Sequence, residues 1–197
     1  EQNLFLDLKQ SVTNLKKNLT RNWRHNLYRS KKKVLKTKII KHEDNHEIYQ
    51  LYLEMCKIKK INLPFTEISF NRFFEFFKND ILTIGAYSNG KLVSVRSIVQ
   101  FHNKALDIFA ATGLYGRSLF ASYRLLWEII LICKKKKLKI LDLNGLDKNN
   151  NLGVYNFKIG VGGLVYKQLG VLEFCNLKLL IPFFNMTRYL IRKINQH

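Results

Sequence analysis

Leu141-Asp142-Leu143-Asn144-Gly145-Leu146-Asp147, then Gly153-Val154-Tyr155-Asn156-Phe157-Lys158-Ile159-Gly160-Val161-Gly162-Gly163, is the stretch that decides the fold. Leu138–Leu143 is a short apolar run of the kind that makes a buried strand. Gly153–Ile159 reads as a loop or a short helix, and Leu164–Leu169 as a further strand. The glycines at 160, 162 and 163 fit a tight turn into that last strand. They also leave room for the backbone to pass close to another group, and Lys158 stands just before them.

Working outward, Ser118–Lys137 carries Leu119, Tyr123, Leu126, Trp127, Ile130 and Leu131 at helical spacing. Its lysines 134–137 suit the negative end of a helix dipole. Before it, Ile81–Tyr87, Lys91–His102 and Ala105–Thr112 read as three antiparallel strands, the first two joined by the turn pair Asn89-Gly90. Farther upstream, helices are expected over Asp44–Lys59 and from Thr66 through Phe73, Phe74, Phe76 and Phe77, with a strand over Val34–Ile40. Leu8, Val12, Leu15, Leu19, Trp23 and Leu27 form one stripe, so residues 8–30 are expected to be a single helix. The chain opens on Glu1 and is expected to enter helical sequence at once, as a piece of a longer protein would. Residues 174–194 are expected to close as a helix or helical hairpin interrupted near Pro182. This order argues for one α+β domain over 1–197, built on a mixed, mostly antiparallel sheet flanked by helices.

Of the 197 residues 47% are hydrophobic, which supports a sizeable core and excludes generic disorder. Lys and Arg number 34 against 14 Asp and Glu, a net charge of +20. A lysine-rich composition explains that charge; a polyanionic partner such as tRNA, a nucleotide diphosphate or an anionic membrane surface explains it equally well. Cys56, Cys133 and Cys175 lie too far apart for a metal knuckle and leave one over from any disulfide, which suits a reducing cytoplasm. The longest apolar runs, Leu125–Cys133 and Leu177–Phe184, are too short to span a bilayer and are broken by Glu128 and Lys178.

No nucleophile elbow, zinc-protease helix or Walker loop occurs, and no carboxylate pair or metal-binding histidine pattern stands out. His42 and His46 share one helix-start spacing and read as solvated surface. Thr112-Gly113-Leu114-Tyr115-Gly116-Arg117-Ser118 lies between a strand and a helix, where backbone N–H groups can meet an anion. An ordinary strand-to-helix turn has the same appearance.

Four segments, in order, resemble the FemABX-like peptidyltransferases. The "DLNG" at Asp142–Gly145 and the "GVYNFKIGVGG" at Gly153–Gly163 are similar to that family's "DLGG" and "GVYxFKxGFGG". Trp23-Arg24 to Lys33 resembles its "WRxxLRKAEKKG" helix, and Leu125-Leu126-Trp127-Glu128 its "LLWExI" helix. "GVGG" in place of "GFGG" drops an aromatic and keeps the backbone freedom. The resemblance implies the GNAT fold, usually present twice per chain, and transfer of an acyl or aminoacyl group to an amine of a cell-envelope precursor or sugar. It implies Lys158 as the oxyanion-stabilising ammonium, supported by Phe157. Asn144, Gly145, Tyr155, Gly160, Gly162 and Gly163 are implied near substrate. In GNAT enzymes the 113–118 loop holds the pyrophosphate of acyl-CoA, which would place Gly113, Gly116 and Ser118 there, without the usual Arg or Gln at the first motif position. Arg124, set among apolar neighbours, is expected to pair with a carboxylate such as Asp142 or to enter the cleft.

The donor is thus aminoacyl-tRNA or acyl-CoA, with no tightly bound cofactor. Partners would be tRNA and a nucleotide-linked or lipid-linked precursor, met in the cytoplasm at the inner face of a membrane. Without the sister domain, this chain would hold half of an acceptor site. Two other readings stay open: a non-catalytic module of the same fold that holds a polyanion, and a protein recruited to nucleic acid by charge alone.

Overall fold

The computed structural model describes residues 2–41, 45–61 and 65–167, together with 182, 186 and 187. The chain divides into two compact units, Glu1–Lys167 and Gln168–His197. The first holds a seven-stranded sheet and its helices. The expected closing helix at 174–194 lies outside the described residues, apart from 182, 186 and 187.

In chain order the elements are β1 (Gln2–Asp7), α1 (Val12–Asn18), α2 (Arg21–Lys31), β2 (Lys36–Ile40), α3 (His46–Lys59) and α4 (Glu67–Phe76). Then come β3 (Ile81–Ser88), β4 (Lys91–Phe101), β5 (Lys104–Thr112), α5 (Leu114–Ser118), α6 (Ala121–Lys135), β6 (Ile140–Gly145), α7 (Leu152–Ile159) and β7 (Leu164–Lys167). The sheet order is β2-β3-β4-β5-β6-β1-β7. Every pairing is antiparallel except β5 with β6, which is parallel.

Two sequence expectations are corrected. The chain begins with a strand: Leu4 and Leu6 alternate into the core at 0% and 1% exposure, and β1 sits between β6 and β7. The single helix over 8–30 is two helices. Ser11 caps α1 by accepting the Asn14 N–H, and Thr20 caps α2 by accepting the Trp23 N–H. Leu19 and Thr20 are extended between them. The apolar stripe survives the break, since Leu15, Leu19, Trp23 and Leu27 are all buried.

The β3–β4 turn is formed as its chemistry demands, with Asn89 and Gly90 both at positive φ. Neighbouring strand residues feed two cores. One gathers Leu4, Leu6, Trp23, Ile84, Ile98, Leu125 and Ile129 beneath α1, α2 and α6. The other gathers Ile48, Tyr52, Phe70, Phe74, Val95 and Ala111 beneath α3 and α4. The phenylalanine cluster of α4 is partly core: Phe70 and Phe74 are buried, whereas Phe76 is 82% exposed. Cys56 and Cys133 are free and buried.

Candidate active site

Strands β5 and β6 pair only over Lys104–Leu106 and Ile140–Asp142. Beyond that point the ladder stops, and the carbonyl ends of the two strands border an opening of about 760 Å³. Its walls come from β5, from Asn144 at the end of β6, from the start of α6, and from Phe157 and Lys158 on α7. A break at the carboxyl ends of parallel strands is where α/β sheets expose polar backbone to a ligand.

A bulge sets the polar face of this opening. Ser97 pairs with Phe109 and Ile98 with Asp107, so Ile108 is an extra residue in β5. In a regular strand Asp107 would share the face of Phe109, which packs in the α3–α4 core. The extra residue turns Asp107 to the other face. There its Oδ2 accepts from Arg96 Nη1 at 2.9 Å, with both side chains only 8% exposed. Asn144 Nδ2 donates to the Asp107 carbonyl at 2.8 Å and thereby ties β6 to β5 past the end of their ladder. Asn144 itself is at φ +63, and its N–H donates to Asp142 Oδ1 at 2.7 Å.

Lys158 is half-buried and donates from Nζ to the Gly145 carbonyl at 2.7 Å. Burial lowers its pKa from the ordinary lysine value; Asp107 and Asp142 pull it up and Arg96 pushes it down. Burial raises the pKa of Asp107, against the pull of Arg96 and Lys158. Asp142 is raised by burial as well, opposed by its bonds from Asn144 and Asn3. Phe157 is held firmly: its carbonyl accepts from Trp23 Nε1 at 3.1 Å, and its ring meets Tyr123 at 5.0 Å. The Arg96 guanidinium lies 5.3 Å from the centre of that ring. The arrangement therefore offers a fixed ammonium, a buried guanidinium–carboxylate pair and an aromatic wall around one cavity.

The FemAB family model matches residues 84–188, just over half of the chain. The chain belongs to the FemAB family. The match takes in β4, β5 and α7, and so Arg96, Asp107, Asn144, Phe157 and Lys158. No curated protein matches the chain. Among solved structures, FemX aligns with a TM-score of 0.75 at 10% identity, over 86% of this chain and 60% of that one. L-PGS from Bacillus licheniformis aligns at 0.61 and 11% identity, over 87% and 61%. A GNAT-family acetyltransferase from Staphylococcus aureus Mu50 aligns at 0.53 and 15% identity, over 63% and 82%. The FemAB chain thus has the GNAT fold, an α+β architecture on a mostly antiparallel sheet, and spans about 60% of the length of the two larger structures.

Other residues singled out in the FemAB sequence lie apart from the cavity. Gly113 caps α5, whose first amide, Leu114 N–H, donates to Glu54 Oε1 at 2.8 Å. A carboxylate of the protein therefore already faces the loop that would hold a pyrophosphate. Gly116 lies against the Val93 carbonyl, and Ser118 Oγ donates to the Tyr115 carbonyl at 2.7 Å. Arg124 pairs with Glu128 one helical turn on, which corrects the expected pairing with Asp142; Asp142 takes Asn3 instead. Tyr155 is half-buried and is not among the described residues lining the cavity. Gly160, Gly162 and Gly163 approach the chain itself: Trp23 and Thr20, the Asn18 carbonyl, and Leu4 with the Phe5 carbonyl, respectively. Gly145 contributes its carbonyl to Lys158 and has open space where a side chain would stand.

Four cavity residues were not expected: Arg96, Asp107, Lys59 and Arg117. A signal existed for the first, a lone arginine in the apolar run Leu92–Val99. Asp107 carried a weaker one. Lys59 and Arg117 come from α3 and α5, and nothing local links them. Burial lowers the Lys59 pKa, with the Arg117 charge adding to it. Phe120, which also lines the cavity, is held at φ +57 with the Arg29 guanidinium 4.0 Å from its ring centre. Among the described residues no group of His, Cys, Asp and Glu could hold a metal ion, and no helix is long and apolar enough to cross a membrane.

Proposed function

We propose that this FemAB chain is an acyltransferase domain that passes an aminoacyl group from the 3′ end of a tRNA to an amine of a cell-envelope precursor. The single observation that carries the reading is a half-buried lysine ammonium, Lys158, beside a 760 Å³ cavity at the point where β5 and β6 part. In the step, the lone pair of an acceptor amine attacks the ester carbonyl carbon. A C–N bond forms, the C–O bond to the ribose breaks, and the amine proton passes to the departing hydroxyl. Negative charge gathers on the carbonyl oxygen in between. Lys158 exchanges its bond to the Gly145 carbonyl for one to that oxygen, in a site walled from water by Phe157 and Tyr123. The cavity's cations, Lys59, Arg96, Arg117 and Lys158, outnumber Asp107 and suit a donor that carries phosphates. Glu54 at the 113–118 loop disfavours a pyrophosphate there, and so favours tRNA over acyl-CoA as donor.

The test offers the purified chain aminoacyl-tRNA or acyl-CoA, with a UDP-linked muramyl pentapeptide and with hydroxylamine as a small amine surrogate. Transfer from aminoacyl-tRNA alone is expected. Transfer from acyl-CoA alone would contradict the donor, and transfer from neither would contradict the reading itself.

A further inference from the structure

Asp107 is buried deeper than anything in the transfer step requires. It is 9% exposed and lines the cavity, its Oδ2 is committed to Arg96, and its Oδ1 has no hydrogen-bond partner. A buried carboxylate oxygen without a donor costs roughly 1–3 kcal/mol, so a fold retains one where something fills the vacancy. Among the described lining residues it is the only carboxylate in a cavity otherwise rich in cations. Arg96 fixes the other oxygen, and the Asn144 bond to its carbonyl fixes its backbone.

We propose that Asp107 Oδ1 receives the α-ammonium of the transferred group, so that the donor is an α-amino acid ester and a plain acyl group is discriminated against. This rests on the transferase reading above and adds the class of acyl group. The geometry of an aminoacyl ester suits it. Its α-nitrogen and carbonyl oxygen are separated by two carbons, and Asp107 and Lys158 are close enough to shift each other's titration. One group can therefore hold the nitrogen while the other meets the oxygen. A role as general base fits less well, because a base must return its proton to water on every turnover and this carboxylate is closed off from it. A holding group has no such need. Arg96 acts through Asp107 and is a positioning residue.

The test uses two non-hydrolysable nucleosides, 3′-amino-3′-deoxyadenosine carrying an alanyl amide or a propionyl amide. They differ only in the α-ammonium. Titration calorimetry on the unmodified chain is expected to show the alanyl compound binding about 10- to 100-fold more tightly. Asp107→Asn, checked for folding by its circular dichroism melt, is expected to lose that preference and to keep propionyl affinity. The comparison on the unmodified chain stands even if the variant does not fold. Equal affinities overturn the role of Asp107 and leave the transferase reading intact. A preference that survives in a folded Asp107→Asn chain overturns it too. Binding of neither compound overturns both.

Discussion

Lys158 must carry its proton to meet an oxyanion. Its folded pKa is lowered, chiefly by burial, so the ammonium is full at low pH and is lost as pH rises through a value below that of an exposed lysine. Transfer is therefore expected to fall on the alkaline side earlier than an ordinary lysine would dictate. Lys158→Arg keeps its charge throughout that range, so the same variant is expected to lose the alkaline limb even where its rate is low. The check is a pH profile of single-turnover transfer, with uncatalysed ester hydrolysis subtracted. A limb unmoved in Lys158→Arg would assign it to another group. At this scale the sequence was informative about Lys158 and Phe157, because glycines frame them. It was silent on Asp107. A carboxylate in a strand has no visible face until the register is known, and here one extra residue, Ile108, decides the face.

The elements were legible where signals are local. Asn89-Gly90, the β3–β4–β5 meander and α6 follow from turn chemistry and period alone. β1 was hidden although Leu4, Leu6 and Leu8 alternate, because the helical stripe that begins at Leu8 overlapped it. Its partners lie far along the chain, Asn3 opposite Gly145 and Gln2 opposite Lys167, and no local pattern encodes such pairings. The split of α1 from α2 was legible in principle through Ser11 and Thr20, two N-cap residues inside one apolar stripe. The glycines after Lys158 serve the same architecture: they lock the α7–β7 turn onto β1 and the α1–α2 corner. Gly162 stands at φ +82 with the Asn18 carbonyl where a Cβ would be. Gly162→Ala is expected to cost at least about 1–2 kcal/mol from the backbone conformation alone, with the clash added to it. Gly145→Ala, at a site with open space, is expected to change stability little. Thermal melts of the two variants compare them directly, and equal melting temperatures would remove the turn from its locking role.

At the scale of the whole molecule, a net charge of +20 supplies a field that no single residue explains. If the chain holds a tRNA, that field is part of its affinity. Neutralising only two phosphates makes affinity fall about tenfold between about 50 and about 200 mM salt. Binding of aminoacyl-tRNA, followed by fluorescence anisotropy across that range, is expected to fall at least this much, and a flat response would remove phosphate contacts from the interaction. The charge says nothing of chemistry, since a non-catalytic module of the same fold would show the same slope. Only the cavity distinguishes the two, through the placement of one ammonium where β5 and β6 part.

That placement is tested most directly by Lys158→Met, which keeps the length of the side chain and removes its charge. Single-turnover transfer from saturating aminoacyl-tRNA to hydroxylamine should slow by about 100-fold or more, as loss of an oxyanion donor does, with tRNA affinity nearly unchanged. A rate within a few-fold of the unmodified chain would mean that the carbonyl is activated elsewhere.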